Sequence, residues 1–402
     1  MKRILIIAVP VLVVAAILGA VYFSRGVPQE GGQPPSPVGG LPGIPGGAPA
    51  DGTAGETLPG GGLAASPTDD FGRVSDVAAR SFFVNEDNSV TILQPDGRIA
   101  RISGGELTTL SASLIVNLFR ADFSHDGKKI LAVFGSRETP QVSVFDTEAR
   151  TWQPIGIESA TAVSWSRTDY RIAFLTAKGG TGELNILDLG NPKAKIQKVA
   201  DIRFYDGELH WISPDEVVLT ERGAALVRSS AWKLNLKTKV LVPLALDQLG
   251  LDALWEEEGG GRGLVFTGTR RGLGGELYFQ DKEGNLRRMS ILTLPSKCAF
   301  GPPPGKAPEA ATSSAPGYFY CATPIDPEIL DVTPLPDAYF KEVFRSSDSV
   351  LRVDPNTGLV LSLLPDSAPG VDASNLQVSA GRLFFINRLD GRIYALKLPE
   401  EN

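Results

Sequence analysis

An all-β fold, a seven-bladed β-propeller, is predicted by two features of this sequence. Short apolar strands recur with a period of about 40–50 residues, and each recurrence has the same order of strand, turn and strand. Units of this size bury their apolar faces only against neighbouring units. They must therefore stack, and a closed ring covers the face of every unit.

The chain begins with a segment suited to cross a membrane. Twenty residues without a charge run from Ile4 to Phe23, with Lys2 and Arg3 before them and Arg25 after them. Twenty helical residues rise about 30 Å, the thickness of the hydrocarbon core of a bilayer. A cleaved signal peptide is the alternative, but the apolar run is longer than the usual core of about 7–15 residues. Residues 1–26 are therefore predicted to form an uncleaved signal-anchor transmembrane helix.

The flanking charges and the next segment predict where the body of the protein lies. Two basic residues before the apolar run and one after it favour a cytoplasmic N-terminus, which places the body on the extracytoplasmic side of the inner or plasma membrane. Residues 27–70 contain nine Pro and twelve Gly and almost no large apolar side chains, so they cannot build a core. We expect a disordered, flexible linker with an end-to-end distance of about 35–40 Å. Because the net charge is −7, a nucleic-acid partner is not expected.

Each repeating unit contains an apolar strand whose last residues can be recognised in the sequence. Most of these ends carry an aromatic residue, and their successive separations are 46, 42, 46, 44, 45 and 78 residues. The marks are Val77–Ala78, Phe123–Ser124, Trp165–Ser166, Trp211–Ser213, Trp255–Glu256, Phe300–Gly301 and Val378–Ser379.

A later strand that ends in a polar turn gives the same count. We interpret it as the third strand of each unit, and its seven occurrences predict seven blades within residues 71–399. The last unit stops near Leu398 after its third strand, so its outer strand is expected between Thr68 and Ala79, which would close the ring. The third strands are predicted at Val90–Leu93, Val142–Phe145, Leu184–Leu187, Trp232–Leu236, Leu277–Phe279, Val350–Val353 and Ile393–Leu396.

One unit resembles a known repeat. The stretch from Phe123 to Ala132 reads Phe-Ser-His-Asp-Gly-Lys-Lys-Ile-Leu-Ala and is similar to the repeat of TolB-like and related WD-type propellers, which usually reads aromatic-Ser-Pro-Asp-Gly before a basic residue and an apolar strand. Looser copies begin at Trp211 and Trp165. The resemblance implies a propeller that serves as an interaction platform in a bacterial cell envelope.

The two cysteines, Cys298 and Cys321, fall on the predicted first and second strands of the sixth blade. If these strands pair antiparallel, the thiols lie opposite one another, and an exported compartment is oxidising, so a disulfide is favoured. Two buried free thiols are the alternative. A metal site is disfavoured because no His lies near them.

No catalytic constellation is predicted. His125 occupies a turn position where the repeat commonly has Pro, so a solvated turn residue is favoured over a catalyst. His210 could face the channel from an inner strand, but a structural role is favoured for it. Glu256–Glu258 lacks the ligand spacing of a calcium loop, so a solvated hairpin is favoured over a metal site. Arg270–Gly275 opens no helix, so a polar strand connection is favoured over a phosphate loop. We predict no cofactor and no metal.

An insertion from Pro324 to Glu342 accounts for much of the 78-residue separation. Long loops on rigid scaffolds often carry function, so a contact surface is one interpretation and plain packing over the blade is the other. The candidate contact residues are Asp326, Asp331, Asp337, Tyr339 and Phe340.

Together these features predict a membrane-tethered, non-enzymatic binding or scaffold module for an envelope protein or polysaccharide. The alternative is a hydrolase or lyase that uses paired carboxylates in the central channel, as in propeller glycosidases. The sequence alone does not single out such a pair.

Overall fold

A computed structural model describes residues 70–204, 206–257, 261–301, 317–365 and 368–399. In these ranges 28 strands form seven four-stranded antiparallel sheets, which confirms the predicted seven-bladed propeller. The predicted signal-anchor helix and nearly all of the predicted linker lie outside the described residues. Within the described residues, no helix combines the length and the apolar character needed to span a bilayer.

The first four blades follow one another along the chain. Each consists of four consecutive strands, and the first of the four is innermost. Blade 1 is β2 Ser81–Val84, β3 Val90–Leu93, β4 Ile99–Ser103 and β5 Glu106–Ser111; blade 2 is β6 Leu118–Phe123, β7 Lys129–Gly135, β8 Pro140–Asp146 and β9 Thr151–Ile155; blade 3 is β10 Ala160–Trp165, β11 Arg171–Lys178, β12 Thr181–Asp188 and β13 Gln197–Ile202; blade 4 is β14 Gly207–Ser213, β15 Glu216–Glu221, β16 Arg228–Asn235 and β17 Leu241–Leu249.

The remaining three blades complete the ring. The last one takes its outer strand, β1, from the start of the described chain. Blade 5 is β18 Asp252–Trp255, β19 Gly263–Gly268, β20 Gly275–Gln280 and β21 Leu286–Arg288; blade 6 is β22 Cys298–Phe300, β23 Phe319–Pro324, β24 Asp348–Val353 and β25 Val360–Ser362; blade 7 is β26 Ala373–Ser379, β27 Arg382–Asn387, β28 Arg392–Lys397 and β1 Phe71–Arg73.

The ring is closed by strand β1, as the sequence predicted. Phe71 is paired with Leu396 in the antiparallel register, and its ring stacks on that of Tyr394 at 5.7 Å between centroids. On the inner side, Gln377 Nε2 donates to the carbonyl oxygen of Phe82 at 2.8 Å and joins blade 7 to blade 1. The start of the described chain thereby supplies the fourth strand of the last blade, which closes the ring.

The repeated aromatic residues are buried between blades. Trp211 is fully buried in a cluster that combines side chains of blades 3 and 4, and Trp165 is almost fully buried between blades 2 and 3. A large aromatic side chain at this position of the inner strand fills the space between the sheets of two neighbouring blades. The period in the sequence therefore reflects the packing of one blade on the next.

The turn of the best-matching repeat is held by its own side chains. Asp126 Oδ1 accepts hydrogen bonds from Ser124 Oγ at 2.8 Å and from the Lys128 amide at 3.1 Å. Gly127 has a φ of +67°, and a Cβ there would lie 2.3 Å from the ring of Phe83, so glycine is required. The turn that the sequence predicts at His125 is confirmed.

The structure corrects two assignments in the first blade. Val77–Ala78 is not part of a strand, and the first inner strand ends at Val84 instead. Val90–Leu93 is the second strand of its blade and not the third. The reason is that the turn Pro95–Gly97 follows a second strand here, whereas similar polar turns follow third strands elsewhere.

Candidate functional site

The two faces of the ring differ because one carries a long insertion. In each antiparallel blade, the connection between strands two and three lies on the same face as the start of the inner strand. Residues 325–347 join β23 to β24 and hold two short helices, α1 (Glu328–Asp331) and α2 (Asp337–Phe340). We call residues 325–347 the cap and this side of the ring the capped face.

The cap reaches from blade 6 to four other blades. Because these blades surround the axis, the cap lies over the end of the central channel on this face. The Ala225 amide of blade 4 donates to Asp337 Oδ2 at 2.5 Å, and the Gly274 amide of blade 5 donates to the Thr333 carbonyl at 2.9 Å. Arg388 Nη2 of blade 7 donates to the Phe344 carbonyl at 3.3 Å. Arg80, which precedes blade 1, forms an ion pair with Glu342 at 3.8 Å.

A buried ion-pair network lies beneath the cap. The ammonium group of Lys297 is 2.7 Å from Asp348 Oδ2 and 2.9 Å from Asp372 Oδ1, and it donates to Ser346 Oγ at 2.9 Å. Both carboxylates are completely buried, and the side chain of Lys297 is 3% exposed. Burial raises the pKa of Asp348 even though the ammonium group of Lys297 opposes this effect. The network joins blade 6, the cap and blade 7.

Tyr339 connects this network to the cap. Its ring lies 5.5 Å from the ammonium group of Lys297 and 4.3 Å from the guanidinium group of Arg388, so two cations face one aromatic ring. Arg388 Nη1 is also 3.4 Å from Asp372 Oδ2. Burial is the main cause that raises the pKa of the Tyr339 hydroxyl, so this group stays neutral at physiological pH.

In four blades an ionisable residue stands at the same spacing before the aromatic residue of the inner strand. Arg120, Glu208 and Asp252 each lie on an inner strand, three residues before its aromatic residue, and Lys297 has the same spacing to Phe300 but directly precedes its strand. This constant spacing places them near the start of the inner strands, at the channel end that the cap covers. This three-residue spacing is visible in the sequence and is the signal by which these residues could have been found.

Glu208 is the central acid of this group. Its carboxylate is 3.4 Å from His210 Nε2 on the same strand and 3.9 Å from Arg120 of blade 2. Its side chain is 46% exposed, as expected for a group that lines an open channel. Burial alone would raise the pKa of Glu208, but the contacts with His210 and Arg120 outweigh burial and lower the pKa to about 2.

Asp252 of blade 5 has the opposite character. One of its carboxylate oxygens accepts a hydrogen bond from the Ser296 amide at 3.0 Å, and the residue is 7% exposed. Burial raises the pKa of Asp252 to about 6, and the negative charge of Glu208 adds to this rise. Two carboxyl groups with separated pKa values therefore lie at one end of the channel.

We expect the substitution Asp252→Asn to stabilise the protein at pH 7.5 but not at pH 4. The pKa of this acid is raised from 3.8 to about 6, so the stability that the neutral acid contributes is fully present below pH 3.8 and is lost as pH rises through 6. The amide stays neutral and keeps an oxygen for the Ser296 amide. The gain at pH 7.5 is at most about 3 kcal/mol.

Urea unfolding of both proteins at the two pH values measures this difference. The exposed Asp201→Asn variant is the control and is expected to match the wild type at both. An Asp252→Asn variant that is no more stable than the wild type at pH 7.5 contradicts the assignment.

The structure places the five candidate contact residues on both sides of the cap. Asp326, Asp331 and Phe340 are exposed, whereas Tyr339 is buried and Asp337 is half-buried against blade 4. The cap therefore combines packing over the channel end with an outer surface, and the role of that surface in binding stays a prediction.

Other sequence candidates have local partners. His125 is exposed in its turn, 5.6 Å from the ring of Tyr170. Glu256 pairs with Arg262 at 2.5 Å, and Glu257 pairs with Arg167 at 2.7 Å. The Arg270–Gly275 segment joins β19 to β20, as a strand connection on the capped face. Among the described residues, no group of three or more His, Cys, Asp or Glu side chains is arranged to hold a metal ion.

Among the comparisons with known proteins, only the one with solved structures gives matches. No known protein family and no curated protein sequence matches the chain. An oligogalacturonate lyase from Vibrio parahaemolyticus is similar in structure, with a TM-score of 0.53 and 11% identity over 82% of this chain and 94% of that one. TolB from Acinetobacter baumannii has a TM-score of 0.34 and 16% identity, and the match covers 54% of this chain and 64% of TolB.

A third solved structure similar to this chain is the β-propeller domain of the Trilobed protease from Pyrococcus furiosus. Its TM-score is 0.44, with 12% identity over 67% of this chain and 78% of that one. At such identities the likeness concerns the fold alone. The solved structures similar to this chain include enzymes as well as TolB, and the chain itself is a seven-bladed β-propeller.

Proposed function

We propose that this protein is a non-enzymatic binding module, tethered outside the membrane by its N-terminal segment, and that it binds an envelope protein through the capped face. The main support is the apolar surface of that face. Val343 is 75% exposed, Val332 69%, Leu226 68% and Phe340 46%. Exposed apolar patches on a rigid scaffold mark interaction sites.

This surface continues from blade 4 to the cap. The glycine at 272, next to the exposed Leu273, lies against the side chain of Leu226, because a Cβ at Gly272 would be 2.8 Å from it. Gly274 lies in the same way against Asp331 of the cap. Leu226, Leu273 and the first half of the cap therefore adjoin one another.

The charges beside this surface favour a protein partner that carries acids. Arg270 and Arg271 are exposed next to Leu273, and neither has an ion-pair partner in the part of the chain that the structure describes. Aliphatic side chains with flanking arginines are typical of protein interfaces. A polysaccharide surface would instead expose several aromatic rings, and Phe340 is the single aromatic among the exposed large apolar residues described.

The test compares two charge substitutions on the full-length chain after cross-linking in intact cells. The Phe340→Glu/Val343→Glu variant changes the capped face. The matched control, Leu286→Glu/Leu359→Glu, makes the same change at exposed apolar residues on blades 5 and 6 away from that face. We expect a captured protein that the wild type and the control retain and that the capped-face variant captures at least about tenfold less.

Equal capture by all three proteins would overturn the proposal. Captured material that resists protease and is lost after polysaccharide digestion would show a polysaccharide ligand, and it would equally contradict a protein partner.

The second candidate is a hydrolase or lyase at the channel end, favoured by one observation. Glu208 and Asp252 have pKa values of about 2 and 6, a separation that suits a charged stabiliser and a general acid. The lyase with a similar fold suggests polymeric sugars as substrates to assay. Cleavage of an acidic polysaccharide by the wild type and not by the Asp252→Asn variant would establish this candidate, and equal cleavage by both would exclude it.

A further inference from the structure

A groove lies between blades 3 and 4, on the face opposite the cap. Its volume is about 370 Å³, within the range of ligand-binding clefts. The turns that border it join strands one and two or three and four of their blades, and such connections lie away from the capped face. The lining residues are Arg171, Ile186, Asp188, Ala194, Lys195, Gln197, Val199, Asp215, Leu236, Lys237 and Lys239.

The floor of the groove is apolar. Ile186 of β12 and Val199 of β13 are half-buried, and Leu236 of blade 4 is 9% exposed. Ile186 of β12 is opposite Gln197 of β13 in the antiparallel register. The two side chains therefore lie on the same face of blade 3, the face toward blade 4. A ligand side chain that enters here displaces water from aliphatic surface, which favours binding.

The rim of the groove is basic. Four basic side chains line it against two acidic ones, although the whole chain has a net charge of −7. Lys237 pairs with Asp215 at 2.5 Å, and Arg171 pairs with Asp169 at 2.8 Å.

Two of these four basic side chains remain available to a ligand. Lys195 and Lys239 are exposed, and neither has an ion-pair partner among the described residues. The two amines stand on opposite sides of the groove, one on the loop of blade 3 and one on the turn of blade 4.

A free strand edge borders the same groove. Strand β13 is the outermost strand of blade 3 and pairs only with β12. Its outer backbone amides and carbonyls are therefore available to an added strand, and alternate residues Gln197 and Val199 line the groove beside that edge. An extended peptide could use both the backbone edge and the side-chain groove.

We propose that this groove binds an extended peptide segment of a partner protein, in which aliphatic side chains alternate with acidic ones. The aliphatic side chains fill the floor over Ile186 and Leu236, and the carboxylates pair with Lys195 and Lys239. A bare inorganic anion would not use the floor, and a nucleic acid would find no exposed aromatic ring for its bases among the lining residues. The site is separate from the capped face.

The test uses fluorescence anisotropy with the full-length chain and a labelled peptide of about ten residues in which leucine and glutamate alternate. We expect saturable binding that weakens at least about tenfold in the Lys195→Glu/Lys239→Glu variant. The matched control, Lys282→Glu/Lys397→Glu, makes the same change in net charge on other blades and is expected to change affinity less than about twofold. A second variant, Ala194→Trp, fills the groove without a charge change and is expected to weaken binding by a similar factor.

Peptide controls separate the two parts of the site. A peptide with serine in place of leucine is expected to lose binding because the floor stays empty, and one with glutamine in place of glutamate because the amines stay unpaired. The Phe340→Glu/Val343→Glu variant should bind the peptide as the wild type does, which distinguishes this site from the capped face. Absent binding to the wild type, or equal binding to the groove and control variants, would overturn the proposal.

Discussion

Replacing Lys297 by methionine is expected to lower the free energy of unfolding by about 3–5 kcal/mol, because the substitution leaves two buried carboxylates without their cation. Asp348 and Asp372 are both completely buried within 2.9 Å of the ammonium group. Methionine has a similar length, so the main change is the loss of charge. The loss should be larger at pH 8 than at pH 4: burial already raises the pKa of Asp348, the loss of the cation raises it further, and the protonated acid needs no cation.

Urea unfolding of the wild type and the variant measures this loss. Lys128→Met is the matched control, because Lys128 forms an exposed ion pair with Glu148 and its removal is expected to change stability little. The double variant Lys297→Met/Asp348→Asn removes one cation and one anion together and should recover part of the loss. A single variant as stable as the control would show that the buried pair is not required, and no recovery in the double variant would point to lost packing.

The fold could be predicted from sequence because propeller packing is local and repeated. An aromatic residue near the end of an inner strand packs against the preceding blade, so Phe123, Trp165, Trp211 and Trp255 mark the period directly. The first blade was assigned wrongly because its inner strand ends in Val84 and lacks this mark.

The site was harder to predict because its members come from distant parts of the chain. Lys297 and Asp372 are 75 residues apart and meet only after blades 6 and 7 are placed side by side. The constant spacing of Arg120, Glu208 and Asp252 before their aromatic residues is visible in sequence, but its meaning depends on the ring that brings these strands to one channel. Similarly, the sequence indicated a long insertion without showing that Tyr339, on its inner side, contacts Lys297 and Arg388.

The cap and the channel network depend on each other. Tyr339 of the cap lies against Lys297 and Arg388, and the backbone carbonyl of Phe344 accepts a hydrogen bond from Arg388. A change in the buried network should therefore alter the outer surface of the cap. For this reason the binding test changes exposed side chains of the cap and leaves its buried ones intact.

Reduction of the disulfide between Cys298 and Cys321 is expected to lower the free energy of unfolding by about 3 kcal/mol, because the bond restricts the unfolded chain over a sequence separation of 23 residues. The structure contains this bond, and the two cysteines are directly opposite in the register of β22 and β23, as the sequence predicted. Both residues are buried in a core cluster with Phe319 and Val353. The bond therefore joins the first two strands of the blade that carries the cap.

Urea unfolding of the wild type with and without a reductant measures the contribution of the bond at constant packing, since the same sulfur atoms are present in both states. The reduced protein should also show a larger dependence of stability on urea, because its unfolded state exposes more surface. The Cys298→Ala/Cys321→Ala variant is the control for effects of the reductant elsewhere, and its unfolding should be the same in both conditions. A wild type whose stability does not change after complete reduction, verified by thiol titration, would show that pairing of β22 with β23 alone holds this blade together.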